Sequence, residues 1–168
     1  MWKKRGLIFN SKDTSPFAVT GAMIPTPVQL NETELRVYLT FLDSAGIGRP
    51  GYVDLDAKNL HKVVRISTEP IFDIGIPGSF DDNGALLCSV VQLKDGRKYF
   101  YYAGFELSTK IRYRLLSGLV VTDHDHKILK KYNTPVLERS EKEQLFRGGP
   151  FCIEDNGLFK MWYVAGSD

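Results

Sequence analysis

Asp81 and Asp82 stand side by side, and Glu141 and Glu143 are separated by a single lysine. Paired carboxylates can share a proton and split their pKa values, so that one gives up a proton while the other stays charged. These four are the candidates for acid–base chemistry. A second set suits ligand recognition. Asp43 and Arg49 flank one loop, and Arg147 follows the glutamates closely. The planar fork of an arginine matches carboxylates and vicinal hydroxyls. Each set also has a plainer reading. Asp82-Asn83-Gly84 is a turn sequence, Glu141-Lys142-Glu143 a solvated loop, and Asp43 with Arg49 a surface ion pair. Ser89 and Ser117 have no histidine at triad-like spacing, so nucleophilic catalysis is unsupported.

The elements that must carry these residues repeat. Ile24 to Leu39, Leu87 to Tyr102 and Gly148 to Tyr163 align, with a period of about 63 residues. A period of that size marks a stacked or radial architecture. Each unit opens on an apolar strand, turns through polar residues and returns on an aromatic strand. Asp95-Gly96 and Asn156-Gly157 are hairpin dipeptides flanked by such strands. Asn31-Glu32-Thr33-Glu34 takes the same place without the glycine. A second hairpin follows: Gly51 to Asp56 matches Gly118 to Asp123, and Pro70-Ile71-Phe72 matches Pro135-Val136-Leu137 as its return. Four strands with a proline near the late edge describe a propeller blade. The expected fold is all-β, one partial β-propeller domain over 1–168, with blades at about 21–83 and 84–147 and half a blade at 148–168.

The repeat also disciplines the remaining motifs. Asp123-His124-Asp125-His126 offers metal-ligand types, but Asp54-Leu55-Asp56-Ala57-Lys58 holds the same place without histidine. Both read as hairpin tips, and no metal or cofactor is expected. Tyr99 and Tyr101 should face one neighbour, Phe100 and Tyr102 the other. Lys110, Arg112 and Arg114 read as the wet side of a strand. Gly75 to Gly78 lacks the helix and lysine of a phosphate loop.

Composition sets the outer limits. Hydrophobic residues make up 43% and charged residues 25%, a soluble, globular balance. A net charge of +2 gives no electrostatic case for nucleic acid or membrane binding. No apolar run approaches the ~20 residues of a membrane span, and Gly6 to Phe9 is too short for a secretory core. Cys88 and Cys152 are too few for a disulfide scaffold and read as buried thiols. A cytoplasmic protein is expected.

Several motifs together resemble the five-bladed β-propeller glycosidase superfamily, with glycoside hydrolase families 43, 32, 62 and 68 as named members. They are Met23-Ile24-Pro25-Thr26-Pro27-Val28, Arg36-Val37-Tyr38, Phe80-Asp81-Asp82-Asn83-Gly84, Lys98 to Phe105, Ser117 to Asp123, Pro135-Val136-Leu137 and Met161-Trp162-Tyr163-Val164. The resemblance covers nearly the whole chain but only the first half of such a propeller. It implies three carboxylates at the inner-strand starts: a base or nucleophile Asp, an orienting Asp and an acid Glu. The corresponding windows here are Ile24-Pro25-Thr26, Leu87-Cys88-Ser89 and Gly148-Gly149-Pro150, and none contains an acid. The expectation is therefore a glycosidase-like protein that binds a glycan or small sugar over the blade axis without the standard catalytic acids. One alternative is a divergent hydrolase using Asp81 or Asp82 with Glu141 or Glu143. Another is a non-catalytic module that completes a propeller as a homodimer through its exposed blade edge, since two and a half blades taken twice make five.

Overall fold

A computed structural model describes residues 1–167. Among them there are ten strands and no helix, and no helix is therefore long and apolar enough to cross a membrane. The first blade runs β1 (Gly21–Gln29), β2 (Glu34–Leu42), β3 (Gly48–Asp56) and β4 (Asn59–Ile66), each antiparallel to the one before. The second runs β5 (Ala85–Gln92), β6 (Lys98–Leu107), β7 (Tyr113–Thr122) and β8 (Ile128–Lys131). The third holds β9 (Phe146–Asp155) and β10 (Leu158–Gly166). One parallel bridge, Leu116 to Arg147, ties β9 to β7. The second and third blades are thus separate units joined at a corner. The inner strand β5 touches both β1 and β9, while β1 and β9 do not meet.

The strands form where the polar turns release aromatic and β-branched runs. Asn156 and Gly157 both adopt positive φ, at 54° and 81°, as a tight hairpin between β9 and β10 requires. The outermost strands fall earlier than the proline motifs placed them. β4 and β8 end before Pro70 and Pro135, and the segments that follow fold back against the blade through Ile71 N–H to Pro50 O and Val136 N–H to Ser117 O, each 2.8 Å. A proline has no N–H to give a ladder, so these segments cap the blade and Ile71 and Phe72 drop into the core. Residues 108–112 form a turn before β7, so Lys110 and Arg112 lie outside the strand that Arg114 belongs to.

Alternation along β6 sorts the aromatics as expected. Phe100 and Tyr102 pack toward the first blade with Tyr38, Phe72, Leu87 and Val120. Tyr101 and Tyr99 pack toward the third with Leu119, Cys152 and Met161. The Phe72 and Tyr102 ring centroids are 5.0 Å apart, and Tyr38 meets Phe100 edge-on at 5.3 Å. Burying each such ring contributes roughly 1.5–3 kcal/mol. Gly118 makes room for this, since a Cβ there would sit 2.3 Å from the Tyr102 ring.

Side-chain hydroxyls join the blades where their ladders do not. Thr40 Oγ1 on β2 accepts the Leu87 N–H of β5 at 2.8 Å. Ser89 Oγ donates to Pro150 O and accepts the Cys152 N–H, both at 3.0 Å. Ser117 Oγ donates to Arg147 O at 2.9 Å. At the opposite end, Arg36 pairs with the buried Asp54 through two bonds of 2.7 and 2.8 Å. Its guanidinium lies 3.8 Å from the centre of the Tyr52 ring. His126 turns inward beside them, with Nε2 3.0 Å from Tyr38 Oη and 3.4 Å from Lys98 Nζ.

Burial, with Lys98 and Arg36 close by, lowers the His126 pKa from 6.5 to about 4; Asp54 and Asp123 oppose this weakly. Neutral His126 therefore favours the folded state. That contribution is whole above pH 6.5 and is lost as pH falls from there toward 4. Denaturation midpoints measured between pH 7 and 4 should fall in that window. His126→Gln should flatten this part of the profile, and an unchanged slope in that variant would reject the assignment.

Candidate functional site

The inner strands β1, β5 and β9 all begin at the same end of the blades, beside the loops at 43–47, 73–84, 108–112 and 138–145. Each carries an irregularity in the window that the repeat marked. Pairing slips between Met23 and Thr26 on β1 and between Leu87 and Ser89 on β5. It slips opposite Gly149 on β9, between Trp162 and Val164 of its partner. Ile24 and Gly149 both have positive φ, at 53° and 64°. For a β-branched residue this is a strained conformation costing about 1–3 kcal/mol. Bulges of this kind re-aim side chains and gather beside ligand sites.

Where β1 and β5 begin, a cleft of about 300 Å³ opens between the first two blades. Met23, Leu86 and Phe105 supply apolar wall, and Asn83, Arg112 and Tyr113 supply polar groups and a ring. Among the described residues Arg112 has no ion-pair partner, and it is exposed. Asn83, Arg112 and Tyr113 escaped the sequence reading because two belong to loops, whose placement depends on blade packing.

The two adjacent aspartates have separate tasks. Asp81 is buried, with 1% of its surface exposed. Its carboxylate accepts Tyr102 Oη at 2.9 Å and Ser79 Oγ at 3.0 Å, and Lys131 Nζ lies 3.0 Å away. Its Cβ rests where a side chain on Gly104 would stand, at 2.8 Å. Burial and the neighbouring Asp81 charge push the Tyr102 hydroxyl well above its ordinary pKa. Asp82 is only half-buried, and its Oδ2 accepts the Gly78 N–H at 2.8 Å.

The other named residues are paired as follows. Arg49 reaches Asp43 at 2.6 Å and Asp73 at 2.7 Å. Asp43 Oδ1 also accepts the N–H groups of Ala45 and Ile47, both at 2.9 Å, which closes its own loop. Burial would raise the Asp43 pKa, but these bonds and Arg49 hold it below the ordinary value. Arg147 pairs with Glu143, and donates to Glu138 O and Ser140 Oγ at 2.7 Å each. Tyr163 Oη lies 3.3 Å from Glu143. Glu141 is exposed, and among the described residues only its backbone oxygen is engaged, by Gln144. Burial raises the thiols of Cys88 to about 11 and Cys152 to about 12, so neither is a thiolate near neutral pH. His124 pairs with Asp125 on the surface while His126 points into the core, which separates the two histidines of that motif.

No family model matches the chain. Two uncharacterized proteins of Mycobacterium tuberculosis, MT1551 and Rv1502, are each 27% identical over 162 residues, covering 96% of this chain and 54% of theirs. The chain thus spans about half the length of the curated relatives it matches. Three solved structures share its fold. A candidate glycoside hydrolase of Parabacteroides distasonis superposes with a TM-score of 0.64 at 11% identity, over 94% of this chain and 49% of that one. The β-1,2-mannobiose phosphorylase of Listeria innocua gives 0.62 at 18%, over 88% and 42%. A thermostable family-43 glycoside hydrolase gives 0.59 at 18%, over 90% and 48%. The chain has the glycosidase-type β-propeller fold, and accounts for about half of one.

The geometry of Asp81 makes it a buried anchor that ties the segment before β5 to β6 and β8 of the second blade. Asp81→Asn should destabilise the protein by roughly 3 kcal/mol, because Lys131 loses its counter-charge in a largely buried place. Equilibrium urea unfolding reads this directly, and a variant as stable as the parent would remove the anchor.

Proposed function

We propose that this protein binds a glycan or small sugar in the cleft over the blade axis and does not hydrolyse it. One observation carries the reading: the three inner-strand starts hold no carboxylate, and the nearest acids are already bound to protein groups. Asp81 has three partners, Asp43 and Asp73 share Arg49, and Glu143 is tied to Arg147. Glycosidic bond cleavage uses two carboxyl groups that face each other across the bond. The cleft instead offers features that sugar recognition uses, an aromatic ring, an amide and an unpaired guanidinium on apolar walls. The fold shared with the two glycoside hydrolases and the mannobiose phosphorylase supports a carbohydrate ligand.

The second reading is a divergent hydrolase. Asp82 and Glu141 keep it open, since their carboxylates are the least engaged of the four acids singled out in the sequence. The two readings separate on turnover. A panel of aryl glycosides should show no release of phenol, while titration with mono- and disaccharides followed by NMR should show saturable shifts. Arg112→Ala should weaken that binding about tenfold, the equivalent of about 1.4 kcal/mol. Turnover that disappears with Asp82→Asn or Glu141→Gln would replace binding with hydrolysis. Absence of saturable binding to any sugar would end both.

A further inference from the structure

The cleft between the first two blades is charged in one sign. Of the residues that line it, Arg112 alone is ionised. The acids next to lining residues in the chain are engaged with other groups. Asp43 holds Arg49, Glu106 lies 3.7 Å from Arg114, and Asp82 accepts the Gly78 N–H. Lys110, on the same turn as Arg112, is exposed and has no ion-pair partner among the described residues. A guanidinium without a counter-charge is matched by an anion, and a second cation beside it draws anions toward the mouth. The walls hold a fixed shape. Asn83 N–H donates to Phe105 O at 3.1 Å, and Phe105 N–H to Gly84 O at 2.8 Å, which ties the Asn83 loop to β6. The Tyr113 ring packs on Phe105 with centroids 5.0 Å apart. Among the described residues the Asn83 amide and the Tyr113 hydroxyl make no hydrogen bond to protein. A donor fork, an amide and a hydroxyl therefore border one small space with hydrogen bonds still to be made.

We infer that the ligand of this cleft is an acidic sugar, a hexuronate whose carboxylate pairs with Arg112. The inference rests on the sugar-binding reading above and narrows it to one substrate class. A planar carboxylate fits the guanidinium fork through two parallel hydrogen bonds. Asn83 and Tyr113 then take the sugar hydroxyls, and Met23, Leu86 and Phe105 meet its C–H faces. One cation in the lining balances one carboxylate. A phosphate monoester carries roughly 1.5 to 2 negative charges near neutral pH, more than Arg112 alone can balance. The volume of about 300 Å³ stands at the lower end for small-molecule sites, which suits one sugar residue better than a chain.

The test sets ligands that differ at a single carbon against one another, by NMR titration of the whole chain. The methyl glycosides of glucuronate, galacturonate and mannuronate are each compared with the neutral methyl hexoside and with its 6-phosphate. At least one uronide should bind about tenfold more tightly than its neutral partner, with an affinity that falls as salt is added. Arg112→Gln, at an exposed and unpaired position, should bring the ratio of those two affinities close to one with an unchanged far-ultraviolet spectrum. Arg112→Lys should keep the salt dependence and lose most of the preference, because an ammonium has no fork. Equal binding of acidic and neutral sugars, a preference that survives Arg112→Gln, or a 6-phosphate that binds more tightly than the uronide would each overturn the inference and leave sugar recognition standing. Saturable binding of none of these sugars would overturn both.

Discussion

Each blade of this protein is a sheet with two apolar faces, and burying one of them leaves the other still in need of a cover. That requirement governs the molecule more than any single contact. It sends Phe100 and Tyr102 one way and Tyr99 and Tyr101 the other. It also makes small residues and hydroxyls matter out of proportion to their size. Gly118 admits the Tyr102 ring, while Thr40, Ser89 and Ser117 join strands that share almost no ladder. A hydrogen bond of this kind contributes only about 1 kcal/mol net, but leaving its buried partner unpaired costs more.

The charged groups obey the same packing rule. Where blades approach closely, a carboxylate survives only with donors around it. Asp54 has Arg36, and Asp81 has Tyr102, Ser79 and Lys131. Each set closes on one side of the first interblade seam: Arg36 and Asp54 are cross-strand partners on β2 and β3, while Tyr102 and Lys131 hold Asp81 from β6 and β8. The seam itself is filled with aromatic rings. The open end of the inner strands is left poor in free acid, and the proposed sugar recognition rests on that.

Much of the architecture was legible in the residues. The period, the hairpin dipeptides and the aromatic return strands identified blades, and alternation assigned the faces of β6. The fourth strands were misplaced because Pro70 and Pro135 looked like edge-strand prolines, whereas they open capping segments. The fate of Asp81 and Asp82 was not legible. Their burial depends on Gly104 and Tyr102 from β6 and Lys131 from β8, partners that nothing near position 81 announces. His126 was hidden for a similar reason. Its repeat equivalent is a solvated tip, and only the inward turn of the chain, at a φ of 67°, brings the imidazole onto Tyr38. The cleft was missed because Asn83 and Arg112 lie in connecting segments.

The slips in β1, β5 and β9 have a consequence for how these strands pack. In a pleated strand, one extra residue is a phase shift: every side chain beyond it swaps sides. Below the slip the strand keeps the alternation that interblade packing demands. Above it the order is inverted, so on β5 Ala85 and Leu87 face the first blade above the slip as Val90 does below it. The two halves of one strand then meet the same packing with opposite parity. Ile24, which pays for its twist where Gly149 does not, marks the frontier between them.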